Sequence, residues 1–164
     1  MIKILNIVGK SGTGKTTIAE AICKNPQFNF IESYTNRPKR YRDETCHMFV
    51  DDATICRLIK NDHCVASSQY GYYYYCSMLE QFDKDKINVY VTDIKGIMDL
   101  QEYANRFPIE MCNINIRKTD INVSSKRTDR DKEEIFLFDY VLQNDYSIEN
   151  MVEFVDTIVK DLNW

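Results

Sequence analysis

Gly9-Lys10-Ser11-Gly12-Thr13-Gly14-Lys15-Thr16 follows directly on the apolar run of residues 2–8. These eight residues satisfy G-x-x-x-x-G-K-[ST] at every position, the pattern of a phosphate-binding loop set between a strand and a helix. Gly9, Gly12 and Gly14 let the backbone curl until its N–H groups converge on phosphate oxygens. A helix opening at Lys15 directs its positive dipole end at the same point. Lys15 supplies a mobile cation for β- and γ-phosphates, and the Thr16 hydroxyl can ligate Mg²⁺. Ser11, Thr13 and Thr17 complete the candidate nucleotide-binding stretch. The pattern implies a nucleoside triphosphate site but leaves the reaction open, because motors, GTPases and small kinases share it.

Outward from the loop, strand and helix patterns alternate. Residues 2–8 form a β-branched run, as a buried strand does, and 15–24 read as a helix. Residues 30–34 are strand-like, and 35–50 are polar, as in a loop or short hairpin. Helix 51–61 has Asp51 or Asp52 as cap and Ile55, Leu58 and Ile59 on one face. A Tyr-rich β segment spans 63–76, with a short helix over 77–82. A strand over 87–93 precedes a helix from about 97 to 104, and 109–116 alternates as a strand. Residues 117–132 are strongly charged. Residues 139–143 form a short strand, and 147–162 an amphipathic helix capped by Ser147. Strands separated by helices predict an α/β fold with a P-loop parallel sheet of about five strands. Ligands of such sheets bind at the carboxyl ends of the strands.

The length of 164 residues fits one domain, 1–164. With 44% hydrophobic and 28% charged residues the composition is that of a globular chain. A net charge of -4 argues against a nucleic-acid binder held by bulk electrostatics. No apolar stretch is long enough to span a bilayer, and the N-terminus does not read as a signal peptide. The six cysteines lack framework spacing, which suits free thiols in the cytoplasm. Cys46–His47 and His63–Cys64 are adjacent pairs without the spacing that lets two side chains reach one ion, so no zinc site is expected.

A kinase needs an acceptor pocket as well as a donor cradle. Ser33-Tyr34-Thr35-Asn36-Arg37-Pro38-Lys39-Arg40-Tyr41-Arg42 gathers four cations in an acidic chain, with Lys10 of the loop expected nearby. Such a cluster suits a phosphate dianion held by guanidinium forks. Five blocks then resemble guanylate kinases in order and approximate spacing: Ser33-x-Thr35-x-Arg37-Pro38-x-Arg40, His47-x-Phe49-Val50, Gly71-x-Tyr73-Tyr74, Asp93-Ile94-x-Gly96, and Phe138-Asp139-Tyr140-Val141-x-Gln143-Asn144-Asp145. The resemblance covers nearly the whole chain and implies a nucleoside monophosphate kinase that moves phosphate from ATP to GMP or dGMP with Mg²⁺.

By that resemblance Arg37 and Arg40 hold the acceptor phosphate, helped by Ser33 and Tyr74, and Asp93 lies near the acceptor base. Arg127 resembles the arginine that enters the active site from the helix after the lid, Arg130 lies one turn on so that both can face the transferred group, and Asn144 lies near the ATP adenine. The acceptor-binding insert is expected at about 35–76 and the lid at about 117–132. Small nucleotides are the implied partners of a monomer or homodimer.

The chain also departs from the family. His47 stands where the family has Tyr, which alters a phosphate contact and introduces a pH-sensitive group. The guanine-reading Glu falls on Ala66 or Ser67, neither of which offers two acceptors as a carboxylate does. The small hydroxyl residue of the acceptor site aligns with Cys76, beside Ser77. The first carboxylate of the family's paired Asp strand is Val91, and the lid is shortened. The phosphate-handling parts are thus kept while the base-reading parts change. Other readings remain: a related small-molecule kinase, such as a ribose 1,5-bisphosphate phosphokinase, a kinase whose acceptor is a modified nucleotide or another deoxynucleotide, and a non-catalytic guanylate-kinase-like binding module.

Overall fold

The computed structural model describes residues 1–119 and 138–164. Strand β1 (Ile2–Val8) lies at the centre of a five-stranded sheet. Strands β7 (Ile87–Val91) and then β2 (Phe28–Phe30) lie on one side of it, β8 (Ile109–Arg117) and then β9 (Tyr140–Gln143) on the other. Every pairing is parallel. Leu5 and Ile7 face helices α1 (Lys15–Ile22) and α4 (Ile148–Asp161), in a core with Ile18, Met151 and Val155. Ile4 faces the other way, towards Leu100 of α3 (Ile94–Ala104) and Val65. With both faces covered, the central strands are apolar almost throughout. That burial extends even to polar positions of β8, where Asn113 and Asn115 are buried beside Cys112, Ile114 and Ile116. Asn113 is satisfied by its neighbour, since Asn6 Nδ2 donates to its Oδ1 at 2.8 Å.

A second sheet rises beside the first. Its order is β4 (Met48–Phe49), β3 (Tyr34–Thr35), β6 (Tyr73–Met78) and β5 (Cys64–Tyr70). Strands β5 and β6 form an antiparallel hairpin around Gly71, whose φ of +62° few other residues adopt readily. Helix α2 (Asp52–Ile59) packs on one face, with Ile55 against Cys76 and Met78. Asp51 caps it, its Oδ1 accepting from the Thr54 N–H at 2.7 Å.

Several expected boundaries shift for local reasons. The strand expected over 30–34 is two strands, β2 and β3, in different sheets. Between them Ile31 still donates to Val89 O at 3.0 Å, while Ser33 O already accepts from Met48 N–H. Strand β4 pairs parallel to β3, so 35–50 is a loop that returns alongside rather than a hairpin. The helix expected over 77–82 is a single 3₁₀ turn, Leu79–Gln81, because β6 continues to Met78. Helix α3 starts three residues early: the strand stops at Val91, short of the expected 93, and Asp93 caps the helix, accepting from the Gly96 N–H at 2.7 Å. Residues 120–137 lie outside the described residues, and with them most of the expected lid, including Arg127 and Arg130. No helix among the described residues is long and apolar enough to cross a membrane.

Candidate active site

The loop after β1 is held by contacts that exclude other residues at its glycines. Gly9 has φ +146°, and a Cβ there would stand 2.2 Å from the Ile116 carbonyl oxygen. Gly14 has φ +87°, with its Cβ position 2.6 Å from Asn144 Nδ2. That amide donates to Thr13 O at 2.6 Å, and buried Thr13 donates its hydroxyl to Lys10 O at 2.9 Å. Lys15 Nζ folds back across the loop to Gly9 O and Lys10 O, at 2.6 and 2.7 Å. Helices α2, α3 and α4 are each capped by a side chain, that of Asp51, Asp93 or Ser147. Helix α1 has no side-chain cap. A helix start without a side-chain cap, at the end of a loop of this pattern, is a place where an anion binds.

A cleft of about 740 Å³ opens from this loop along the carboxyl ends of β1, β7 and β8. Gly12, Lys15, Thr16 and Thr17 line one end; Ser33, Arg40, His47, Tyr75 and Asp93 line the other. Ser11 belongs to the loop end. The two ends face each other because Ile31–Ser33 carry the chain straight from the first sheet to the second.

The cationic segment is organised by a residue that the sequence reading passes over, Glu44. Its carboxylate receives Arg37 in a two-point pair, Nη1 to Oε2 at 2.9 Å and Nη2 to Oε1 at 2.5 Å, with both side chains buried. The Arg40 N–H also donates to Oε2, at 2.7 Å. The Arg37 guanidinium holds the Glu44 carboxyl down at about 2, and burial opposes it. Arg37 also lies under Phe49, 5.1 Å from the ring centre. Its charge is thus compensated inside the wall, while Arg40 lines the cleft itself.

His47 lines the cleft too, but burial and then the Arg37 charge push its pKa down to about 4. It is neutral through the physiological range, which corrects the expectation of a group that titrates near neutrality. Its Nδ1 is buried without a partner, as are Arg37 Nε and the Tyr75 hydroxyl; Tyr75 approaches the guanidinium without hydrogen-bond geometry. The His47 and Tyr75 rings meet edge-on, 5.5 Å apart. Unpartnered buried polar atoms are costly, so those of His47 and Tyr75, two residues that line the cleft, mark a place for a polar ligand or ordered water. Behind them Ser33 Oγ lies 3.2 Å from Ser77 Oγ.

Tyr74 and Cys76 are corrected. Successive strand residues point to opposite faces, and both pack towards α2 with Ile55. Their neighbours Tyr75 and Ser77 take the side facing Ser33 and the cleft. Asp93 does line the cleft, but it also caps α3 and accepts the Tyr70 hydroxyl on Oδ2. Asn144 is a brace of the phosphate loop and does not line the cleft, because its amide nitrogen is committed to Thr13 O. Asn115 was also missed. It lines the cleft beside the loop, is 1% exposed, and has no partner for either amide atom. Counting by two along the 64–78 hairpin could have found Tyr75 and Ser77; nothing local singles out Glu44 or Asn115.

A phosphate loop at the carboxyl ends of a parallel sheet, facing a second sheet across one cleft, defines a P-loop α/β fold of the nucleotide-kinase type. The chain is similar to the crystal structure of guanylate kinase from Anaplasma phagocytophilum, with a TM-score of 0.72 and 18% identity over 98% of this chain and 86% of that one. Its fold is guanylate kinase-like. A fungal RNA kinase structure aligns with a TM-score of only 0.40 and 12% identity, over 98% of this chain and 85% of that one. No protein-family profile matches the chain, and no curated protein does.

Proposed function

We propose that the protein transfers the γ-phosphoryl group of ATP to a nucleoside monophosphate, with GMP and dGMP the acceptors that the family resemblance favours. One observation carries this reading. An uncapped phosphate loop and a wall with Arg40 and unpartnered donors share a single cleft of about 740 Å³. A binding module needs only the second of these; phosphoryl transfer needs both.

Catalysis of this reaction is mostly positioning and charge neutralisation. The loop N–H groups hold the donor phosphates. Lys15 exchanges its two carbonyl partners for β- and γ-phosphate oxygens. Arg40 and the Tyr75 hydroxyl grip the acceptor phosphate, and Arg37, fixed by Glu44, keeps that wall in place. An acceptor phosphate oxygen attacks the γ-phosphorus as the bond to the β–γ bridging oxygen breaks, so ADP leaves with that electron pair. No general base is needed, because the attacking oxygen is already anionic. Among the described residues no cluster of three His, Cys, Asp or Glu could cage a metal. The donor set fits Mg²⁺, which binds through one or two protein oxygens plus phosphates and water. Thr16 would hold Mg²⁺, which neutralises charge on the donor phosphates. Arg127 and Arg130 are proposed to complete the site from the lid.

The test is product analysis with Mg-ATP and each acceptor in turn: GMP, dGMP, other nucleoside monophosphates and ribose 1,5-bisphosphate, with Lys15→Ala as control. Formation of a nucleoside diphosphate that the control abolishes is the expected result. Turnover only of ribose 1,5-bisphosphate moves the assignment to that kinase class. Binding of ATP and monophosphate without transfer contradicts the enzymatic reading.

A further inference from the structure

We propose that Tyr70 sets the base preference of the acceptor end by occupying Asp93, so that the site admits nucleoside monophosphates of several bases. The proposal rests on the kinase reading above and concerns the base end of the same cleft. Guanine presents adjacent donors, N1–H and the N2 amino group, and a free carboxylate meets both with its two oxygens. The second sheet offers none. At the expected position Ala66 is 2% exposed and packed in the core near Leu100. Ser67 lies opposite Cys76, on the side away from the cleft, and its N–H is committed to Asp99 Oδ2 at 3.0 Å. The residues of β5 that line the cleft are Ser68, Gln69 and Tyr70, with Ser68 and Tyr70 opposite Tyr75 and Tyr73 and the Gln69 amide nitrogen committed to Gly71 O at 2.9 Å.

Among the described residues, Asp93 is the only carboxylate that lines the cleft. Its Oδ1 accepts from the Gly96 N–H at 2.7 Å, and its Oδ2 accepts from the Tyr70 hydroxyl. The first bond is the N-cap of α3 and cannot be given up without fraying that helix. The second is aimed by packing, because the Tyr70 ring lies edge-on to Tyr75 at 5.7 Å. Lys95, also at this end, is tied to Ser67 O and Asp99 Oδ2, each at 2.6 Å. A base entering here meets the hydroxyls of Ser68, Tyr70 and Thr92, together with Gln69 and the exposed side chain of Met98. The Ser68 and Thr92 hydroxyls donate or accept as required, whereas the Tyr70 oxygen, its proton committed to Asp93, only accepts, so bases with different edges find partners and none is strongly rejected.

The experiment is titration calorimetry of the full chain with GMP, AMP, CMP and UMP, without ATP, for the wild type, Tyr70→Phe and Ser68→Glu. Melting temperatures check that each variant is folded. Wild-type affinities should spread over no more than about a hundredfold, the range of a site without a dedicated hydrogen-bond reader. Tyr70→Phe frees Asp93 Oδ2 and should shift the ratio of GMP to the other monophosphates about tenfold towards GMP, a share of what a fixed reader supplies. Ser68→Glu, which adds a carboxylate on the same face, should shift it the same way. A wild type that prefers GMP by more than about a thousandfold, or a Tyr70→Phe variant with unchanged ratios, overturns the proposal while the kinase reading stands. Failure of the wild type to bind any monophosphate overturns both.

Discussion

The two ends of the cleft are built from different material. The donor end is backbone: glycine conformations, carbonyls and an uncapped helix start, braced by Thr13 and Asn144. The acceptor end is side chain: a buried ion pair, a neutral imidazole and tyrosine hydroxyls displayed by a short sheet. A site made of backbone constrains which residue types are possible, whereas a site made of side chains depends on register and on which charges neutralise one another. The first end therefore tolerates little substitution at its glycines, and the second can change its ligand while keeping its shape.

The largest expected effect falls on the acceptor end. Glu44→Ala leaves the Arg37 guanidinium buried without its counter-ion and should cost about 3–5 kcal/mol in chemical denaturation. Replacing both partners by apolar residues of similar volume should cost much less, and equal losses would contradict an acceptor end that depends on charge compensation. Next comes Lys15→Ala at the donor end. It should lower kcat by about 10²–10³-fold, the scale of one lost charge-stabilising contact, with little change in denaturation midpoint.

A third test probes the acceptor end by pH. The unfolded chain protonates His47 near 6.5, while the folded chain does so only near 4. Stability should therefore fall as pH drops through that window, by at most about 3 kcal/mol, and be fully present above it. Glu44, held at about 2 against an ordinary 4.5, adds a second loss as pH falls below 4.5. Measured against pH, the midpoint of His47→Gln should lose the upper step and keep the lower one. The smallest effect is Asn144→Ala, which removes one brace from the phosphate loop and should cost about 1 kcal/mol. A similar loss with apo protein and with bound ADP would confirm bracing, and a loss confined to the ADP complex would restore the adenine role.

The same contrast explains what was legible in the sequence. Residues 9–16 dictate a phosphate loop because each glycine answers to a φ angle or a carbonyl contact, and the strand before and helix after follow from apolar runs. Asp51 and Ser147 were readable as caps because capping is local. Tyr74 and Cys76 were misplaced because a slip of one residue in a hairpin exchanges its faces. Glu44 was invisible because its partner Arg37 is seven residues away in a loop full of charges. Asn115 was hidden by lying in a strand whose neighbours are apolar. Arg127 and Arg130 lie outside the described residues, so their expected roles are carried forward only as part of the proposed function.

The phosphate loop and the Arg40 wall are proposed to be two ends of one transfer site. The most direct measurement is calorimetric binding of a bisubstrate compound, adenosine and guanosine joined through five phosphates, to the wild type, Lys15→Ala and Arg40→Ala. One compound should bind per chain, and each substitution alone should weaken binding at least about tenfold, the loss of one charge-assisted contact of roughly 1.5–3 kcal/mol. Binding that Lys15→Ala weakens and Arg40→Ala leaves unchanged would contradict the account, because the acceptor phosphate would then lie somewhere other than the wall described here.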